Sequence, residues 1–479
     1  MKICCLNLPW EESGSWGIRA GCRFPNLMPS QHNSYVPFPF LLAYTASYLA
    51  ERGFETVLID GVAERCSTAA LIERIQAMVP GLIVAETATT SLRNDLQQLQ
   101  EIKTQVPTVK VALYGPHVSV LPEEGLTGAV DYVLVGEPEL TSGELAHALD
   151  QGLDPRGIAG LAYREGDGSV HVNPRRGLIE DLDALPFPMR ATVPLDRYVV
   201  PGFPTPVVFM YGSRGCPFRC NYCLWPQTLF EPGSYRPRAP EKIVEEMLQV
   251  LDKYPNTKSF FFDDDTFNLG RERLLSFADE LDRRGLKIPW GMNARADNWD
   301  KELLERLQRT GLFTLRIGIE SGDQRVLDAC GKGLNLEQAR RMLVLSNGLG
   351  ISNHVSFMVG LAGETWESVH NTVAYIKSLP VDSVQFSVAV PFPGTEYYRY
   401  VEAHQFFETR DWSLFSGSEN AVMRTEQMSA AELRRAITQV RRRVYFSPRF
   451  IRRRFAYVRD FRDLYAILRK VFRLLTLRT

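Results

Sequence analysis

Two runs of short apolar strands alternating with amphipathic helices constrain this 479-residue chain more than any other feature. In residues 1–150 the strands are ICCLNL, ETVLID, LIVAET, VKVALYG and DYVLVGE. Between them lie FLLAYTASYLAERG, STAALIERIQAMV and SLRNDLQQLQEIK, which carry helical periodicity. That rhythm predicts a parallel sheet covered by helices on both faces. Open sheets of this kind bind ligands at the carboxyl ends of their strands. There the sequence sets Asn7-Leu8-Pro9, Asp60-Gly61, Glu86-Thr87, Gly115-Pro116-His117 and Gly136-Glu137.

Residues 151–204 change character. YREGDGSVHVNPRR reads as a hairpin and DLDALPFPMR as a Pro-punctuated linker. The alternation returns over residues 205–400, with strands VVFMYG, SFFFDD, IPWGMNA, FTLRIGIE, NHVSFMVG and SVQFSVAV. Helices are expected from Pro240, Arg271, Lys301, Asn335, Glu364 and Glu396. Six such units predict a partial (β/α)6 barrel whose active face lies at the strand carboxyl ends. Residues 401–479 read as a helical C-terminal region.

A 45% hydrophobic, 23% charged composition excludes a disordered or fibrous chain. The sequence holds no charge-free run of 18 apolar residues, so no bilayer-spanning helix is expected. The start MKICCLNLPWEE reads as a buried strand and not as a signal peptide, so the expected compartment is the cytoplasm. From Arg441 to Thr479, 13 Lys and Arg stand against two Asp, a local charge of +11 in a chain of net −1. The same segment alternates Arg with aromatics and carries aliphatic residues. It reads as a capping helix with a charged face, as a peripheral membrane contact, or as an RNA grip. The aliphatic residues favour the membrane over nucleic acid.

Five of the eight cysteines are scattered: Cys4, Cys5, Cys22, Cys66 and Cys330. The other three are Cys216, Cys220 and Cys223, directly after the first barrel strand. Structural zinc wants four closed ligands, which here would require Cys4 or Cys22 from the other half of the chain. Soft thiolates equally suit a cubane iron–sulfur cluster with one ligand per iron. Three cysteines then leave one iron open to a substrate or cofactor.

The string Gly212-Ser213-Arg214-Gly215-Cys216-Pro217-Phe218-Arg219-Cys220-Asn221-Tyr222-Cys223, ahead of a six-unit barrel, resembles the radical S-adenosylmethionine superfamily. With the preceding α/β half, the chain resembles cobalamin-binding radical S-adenosylmethionine enzymes over about residues 1–400. The resemblance implies a Rossmann-like cobalamin-binding domain, the partial barrel, a [4Fe–4S] cluster on Cys216, Cys220 and Cys223, and S-adenosylmethionine on its open iron. It also implies Tyr222 near the adenine and Asp263, Asp264 and Asp265 near the methionine ammonium. Arg316, Glu320 and Ser321 would meet ribose and methionine groups, and Gly360 the adenine. A structural ion pair inside the barrel is the plainer reading of Arg316 and Glu320. For cobalamin it implies contacts from Glu86, Thr87, Thr89, Ser91, Gly115, Pro116, His117, Gly136 and Glu137. The D-x-H-x-x-G string that supplies a lower cobalt ligand in the wider cobalamin family is not present, so His117 is not assigned to cobalt. His354 reads as a core or rim histidine and Cys330 as incidental.

The implied activity is generation of a 5′-deoxyadenosyl radical, followed by methylation of an unactivated carbon in a small-molecule or lipid-like substrate. A flavodoxin- or ferredoxin-type protein would donate the electron. Relatives of the same architecture cyclise or rearrange their substrates. Others transfer methylthio groups to RNA, using a second cluster on three N-terminal cysteines. A non-catalytic cobalamin or redox sensor is a further class. The loop Trp10–Phe40 is expected to help line the substrate space.

Overall fold

The structure, a computed structural model, describes residues 1–12, 14–19, 25–29, 35–417 and 420–455. Five parallel strands form the first sheet: Lys2–Asn7, Glu55–Asp60, Leu82–Glu86, Lys110–Tyr114 and Tyr132–Leu134. Numbered by sequence, their spatial order is 2-1-3-4-5. The order reverses between the first and third strands, which is where sheets of this kind bind ligands, beyond the strand carboxyl ends. Successive side chains point to opposite faces, so Cys4 and Cys5 enter different buried clusters. Helices Thr68–Met78 and Leu92–Gln105 cover one face, through residues such as Leu71, Ile75, Leu99 and Ile102. Helices Phe40–Glu51 and Pro138–Asp150 cover the other.

The sheet runs past residue 150. The expected hairpin forms from Leu161–Arg164 and Val170–Val172, and it adds two antiparallel strands beside Tyr132–Leu134. A parallel strand at that edge would otherwise present unpaired backbone groups.

Six parallel strands form the second sheet in simple sequence order: Val207–Met210, Ser259–Phe262, Trp290–Ala294, Leu312–Glu320, Ser352–Val359 and Ser383–Val388. This is the partial barrel. Its helices begin where local chemistry satisfies their first amides. Asp300 caps Lys301–Arg309, Asn335 caps Leu336–Gly348, and Thr365 with Ser368 forms a capping box on Trp366–Ser378. The two halves share one continuous core, in which the rings of Phe40 and Tyr211 stack with centroids 3.7 Å apart.

After the barrel, helix Ala430–Tyr445 lies on the last strand, burying Leu433, Ala436, Ile437, Val440 and Val444. Tyr445 donates its hydroxyl to the Val384 carbonyl (2.8 Å) and Arg441 its guanidinium to that of Phe386 (3.2 Å). The described start of the basic segment therefore caps the barrel. Most of that segment, from residue 456 on, lies outside the described residues, as does Cys22. Among the described residues no helix is long and apolar enough to cross a membrane.

Candidate active site

The cysteine loop is held at both ends and from below. It leaves the first barrel strand through Ser213–Gly215, which pairs with Tyr235–Pro237. Gly215 turns at φ +83, where a Cβ would lie 2.5 Å from the Ser234 carbonyl oxygen, so only glycine fits. After Cys223 comes the short helix Leu224–Thr228, from which Gln227 donates to the carbonyls of Cys220, Asn221 and Cys223 at 2.8–3.1 Å. Arg295 stacks over Phe218, its guanidinium carbon 3.5 Å from the ring centroid, and is fixed by Asp297 and the Lys332 carbonyl. The three cysteines are half-buried and form no disulfide among the described residues. Burial and the Asp265 charge push the Cys216 thiol up to about 11. Among the described residues no three His, Cys, Asp or Glu side chains converge on one metal ion. A cubane asks for the opposite arrangement, one thiolate on each of three irons.

The Asp triplet divides its work. Asp263 accepts from Asn293 (2.6 Å) and from the Tyr35 hydroxyl (3.1 Å). Asp264 accepts from the Gly212 amide (3.1 Å) and the Ser213 hydroxyl (2.5 Å), which secures the start of the cysteine loop. Asp265 is half-buried beside Cys216. Tyr35 brings the Trp10–Phe40 segment to the barrel, where the Arg316 guanidinium lies 5.6 Å from its ring centre and 5.7 Å from that of Phe261.

Glu320 ends the fourth strand at φ +76, a backbone conformation that costs a non-glycine residue on the order of 1–3 kcal/mol. One of its oxygens accepts from Lys332 Nζ (3.1 Å); the other is buried without a hydrogen-bond partner. Lys332 in turn lies 3.4 Å from the Tyr222 hydroxyl. The ion pair expected between Arg316 and Glu320 is instead one between Lys332 and Glu320. A buried, orphaned carboxylate oxygen on a residue whose charge acts on Tyr222 fits a ligand that donates hydroxyls, as the ribose of S-adenosylmethionine does. Ser321 bonds with Thr372 and the Asp323 amide. Gly360 turns at φ +93, donates to Glu364, and accepts from Tyr397. His354 meets Ser383 at 2.7 Å, and burial with the nearby Arg316 charge lowers its pKa to about 3, so it is neutral at pH 7. Cys330 is buried, and its carbonyl accepts the Asn221 amide.

At the carboxyl edge of the first sheet the polar turn residues form a buried network. Arg19 donates to Asn7 (2.8 Å), Leu8 (2.6 Å), Ser91 (2.9 Å) and Asp95 (2.7 Å). Thr87 and Ser91 also donate to Asp95. Thr90, between these partners, keeps a buried hydroxyl without a partner. Gly115, at φ +145, would place a Cβ 2.0 Å from the Thr87 carbonyl oxygen. Pro116 and His117 are buried, and both His117 ring nitrogens are engaged, with Thr89 at 3.2 Å and Glu124 at 3.1 Å. Trp412, from beyond the barrel, also donates to Glu124 (2.8 Å). The Gly136 amide donates to Ser119 (3.0 Å); both Glu137 oxygens are taken by Arg214, Arg236 and the Ile179 amide, so the carboxylate expected to contact cobalamin is engaged toward the cysteine loop instead. A close-packed backbone edge with an orphaned hydroxyl at the sheet's switch point fits a large polar cofactor such as cobalamin.

Glu86, bonded by the Tyr114 hydroxyl, is pushed by burial to about 7. A carboxyl raised on folding binds its proton more tightly in the native state. Its stabilising contribution is complete below about pH 4.5 and is lost as pH rises through about 7. Glu86→Gln is therefore expected to raise the melting temperature relative to the parent at pH 8, with the difference vanishing by pH 5. A scan of melting temperature against pH checks this.

Sequence reasoning did not single out Arg19, Tyr35, Lys332 or Arg295 as site residues, and it noted Arg214 only within the cysteine string. Arg214 and Lys332 had a local signal, since each lies two residues from a cysteine that drew attention.

These two sites, joined in one chain, define a class. Residues 210–376 match the family model of the radical SAM superfamily and residues 34–146 that of the B12 binding domain. An uncharacterised methyltransferase of Pyrococcus horikoshii is 32% identical over 416 residues, 86% of this chain and 89% of that protein. The chain belongs to the cobalamin-binding radical S-adenosylmethionine enzymes, and its cofactors are a [4Fe–4S] cluster, S-adenosylmethionine and cobalamin. The anaerobic magnesium-protoporphyrin IX monomethyl ester cyclase of Rubrivivax gelatinosus is 27% identical over 426 residues, 86% of this chain and 74% of that one. Cytidylyl-2-hydroxyethylphosphonate methyltransferase of Streptomyces wedmorensis is 25% identical over 419 residues, 76% and 77% of the two chains. In fold, the chain matches the methyltransferase TsrM of Kitasatospora setae, solved with cobalamin and a [4Fe–4S] cluster, at TM-score 0.66 and 19% identity. That match covers 91% of this chain and 82% of the other.

Proposed function

We propose that this enzyme methylates an unactivated carbon of a small-molecule substrate. The observation that carries the reading is the joining of a three-thiol loop to a cobalamin-type sheet edge within one core, in a chain whose 32%-identical relative is described as a methyltransferase. When bound, the cluster supplies the electron that cleaves S-adenosylmethionine to a 5′-deoxyadenosyl radical, and cobalamin carries the methyl group. The chain's own residues hold and shield these groups. Cys216, Cys220 and Cys223 would ligate the cluster. Glu320, held by Lys332, would take ribose hydroxyls, and Asp265 would pair with the methionine ammonium. Phe209, Phe261 and Tyr35 line the barrel interior and exclude water. A flavodoxin- or ferredoxin-type donor would deliver the electron.

Cyclisation is the second reading, supported by the 27% identity to the Rubrivivax gelatinosus cyclase. Anaerobic turnover with methyl-deuterated S-adenosylmethionine separates the two. Product carrying the labelled methyl supports methylation; a product lighter by hydrogen and without label supports cyclisation. RNA methylthiolation has less support, because Cys4 and Cys5 are buried in one strand, on opposite faces, with their thiols pushed up by burial.

Val440 and Val444 are buried on the barrel, which leaves peripheral membrane contact to the part of the tail after Tyr445, where Ile451 and Arg452 are exposed. Salt-sensitive flotation with anionic liposomes is then expected to disappear on truncation after Tyr445. Flotation unchanged by that truncation would contradict it.

A further inference from the structure

Two Arg and two Glu side chains are buried where the first domain meets the cysteine loop. Arg214 and Arg236 stand opposite each other in the strand pair Ser213–Gly215 and Tyr235–Pro237. Glu137 and Glu139 come from the turn after the fifth strand and the first turn of helix Pro138–Asp150. Arg214 donates to Glu137 (2.9 Å) and Glu139 (2.6 Å), and Arg236 donates to Glu137 (2.8 Å). None of the four side chains is more than 6% exposed. Burial pushes the Glu137 carboxyl up, but the two guanidinium charges outweigh it and hold it below the usual carboxylate value.

Buried ion clusters add little stability over apolar residues of equal volume, because desolvation offsets their attraction. Their value is register, since each charge tolerates only one partner arrangement. Here that register is transmitted over a very short path. Arg214 is two residues from Cys216, and the intervening Gly215, at φ +83, packs against the Ser234 backbone with no room for a side chain. The far end of the loop is tied to the same turn. Arg175 donates to the carbonyls of Thr228, Leu229 and Phe230 at 2.8–2.9 Å and lies against Gly136.

We propose that the Gly136–Glu137 turn is a latch that sets the cysteine loop against the cobalamin-binding edge, with Glu137 and Arg214 as positioning residues. The proposal rests on the assignment of cobalamin to the first domain. It predicts that filling that edge orders the cysteine loop even when no cluster is present. The test is hydrogen exchange on the full-length, cluster-free chain with and without hydroxocobalamin, with cobalamin binding followed separately by visible absorption. In the unaltered chain, hydroxocobalamin slows exchange over residues 213–223. In Glu137→Gln, cobalamin still binds and that slowing is lost. Arg214→Lys, which keeps the buried charge but not the two-pronged contact, retains part of it and serves if Glu137→Gln does not fold. Slowing that persists in both variants overturns the latch alone. Loss of cobalamin binding in Glu137→Gln also overturns it, by making Glu137 a cofactor contact. No binding by the unaltered chain overturns the latch together with the cobalamin assignment.

Discussion

Replacing Cys216, Cys220 and Cys223 together with Ala is expected to remove the cluster and with it all cleavage of S-adenosylmethionine. Thiolates are the soft ligands that hold iron–sulfur clusters, and no other group takes their place. Cys330 is the nearest candidate substitute, yet it is buried, donates toward the Leu327 carbonyl, and has its thiol pushed up to about 12 by burial. The expected outcome is a colourless protein with no cubane signal and no 5′-deoxyadenosine above the uncatalysed background. Cys330→Ala should keep both. Melting temperature of the triple variant should match that of the cluster-free parent, because the loop remains fastened by Gln227, Arg214 and Arg175. A cubane signal surviving in the triple variant would contradict the ligand assignment.

The second large effect is expected from Arg19→Met. The substitution keeps the side chain's bulk but leaves the buried Asp95 without its cation and Asn7 and Leu8 without a donor. Removing one member of a buried ion pair costs on the order of 3–5 kcal/mol. The unfolding midpoint in denaturant should fall accordingly, and cobalamin binding should weaken, because the same network shapes the edge around Thr87 and Ser91. Burial already pushes the Asp95 carboxyl up against the opposing pull of Arg19. Without Arg19 it rises further, so the deficit should be largest near pH 8 and shrink as pH falls and Asp95 takes a proton. Arg19→Met with Asp95→Asn should recover part of the loss. An equal deficit at pH 5 and pH 8 would show that packing, and not charge, is responsible.

Much of the architecture was legible because strand and helix periods are local properties. All eleven strands expected in the two parallel sheets are present, and the helices expected at Pro240, Arg271, Lys301 and Glu396 start there. The hairpin near residue 165 was also legible, but its place beside Tyr132–Leu134 was not. Joining a sheet edge is a tertiary event with no signature in the hairpin's own residues. The same divide runs through the site. Three thiols in eight positions announce a ligand set within one loop, whereas Arg19 acquires its role only when Asn7, Ser91 and Asp95 converge on it from separate segments. Glu137 illustrates the intermediate case. Its position at a strand's carboxyl end was readable, but the direction of its side chain depends on Arg214, 77 residues later.

The most direct measurement is anaerobic reconstitution of the full chain with iron, sulfide and cobalamin, followed by metal analysis and assay for 5′-deoxyadenosine on reduction with S-adenosylmethionine present. One cubane and one corrin per chain predict about four irons and a single cobalt, with 5′-deoxyadenosine formed only when both S-adenosylmethionine and reductant are supplied. About eight irons, no retained cobalt, or no 5′-deoxyadenosine from a fully loaded and reduced protein would contradict the account.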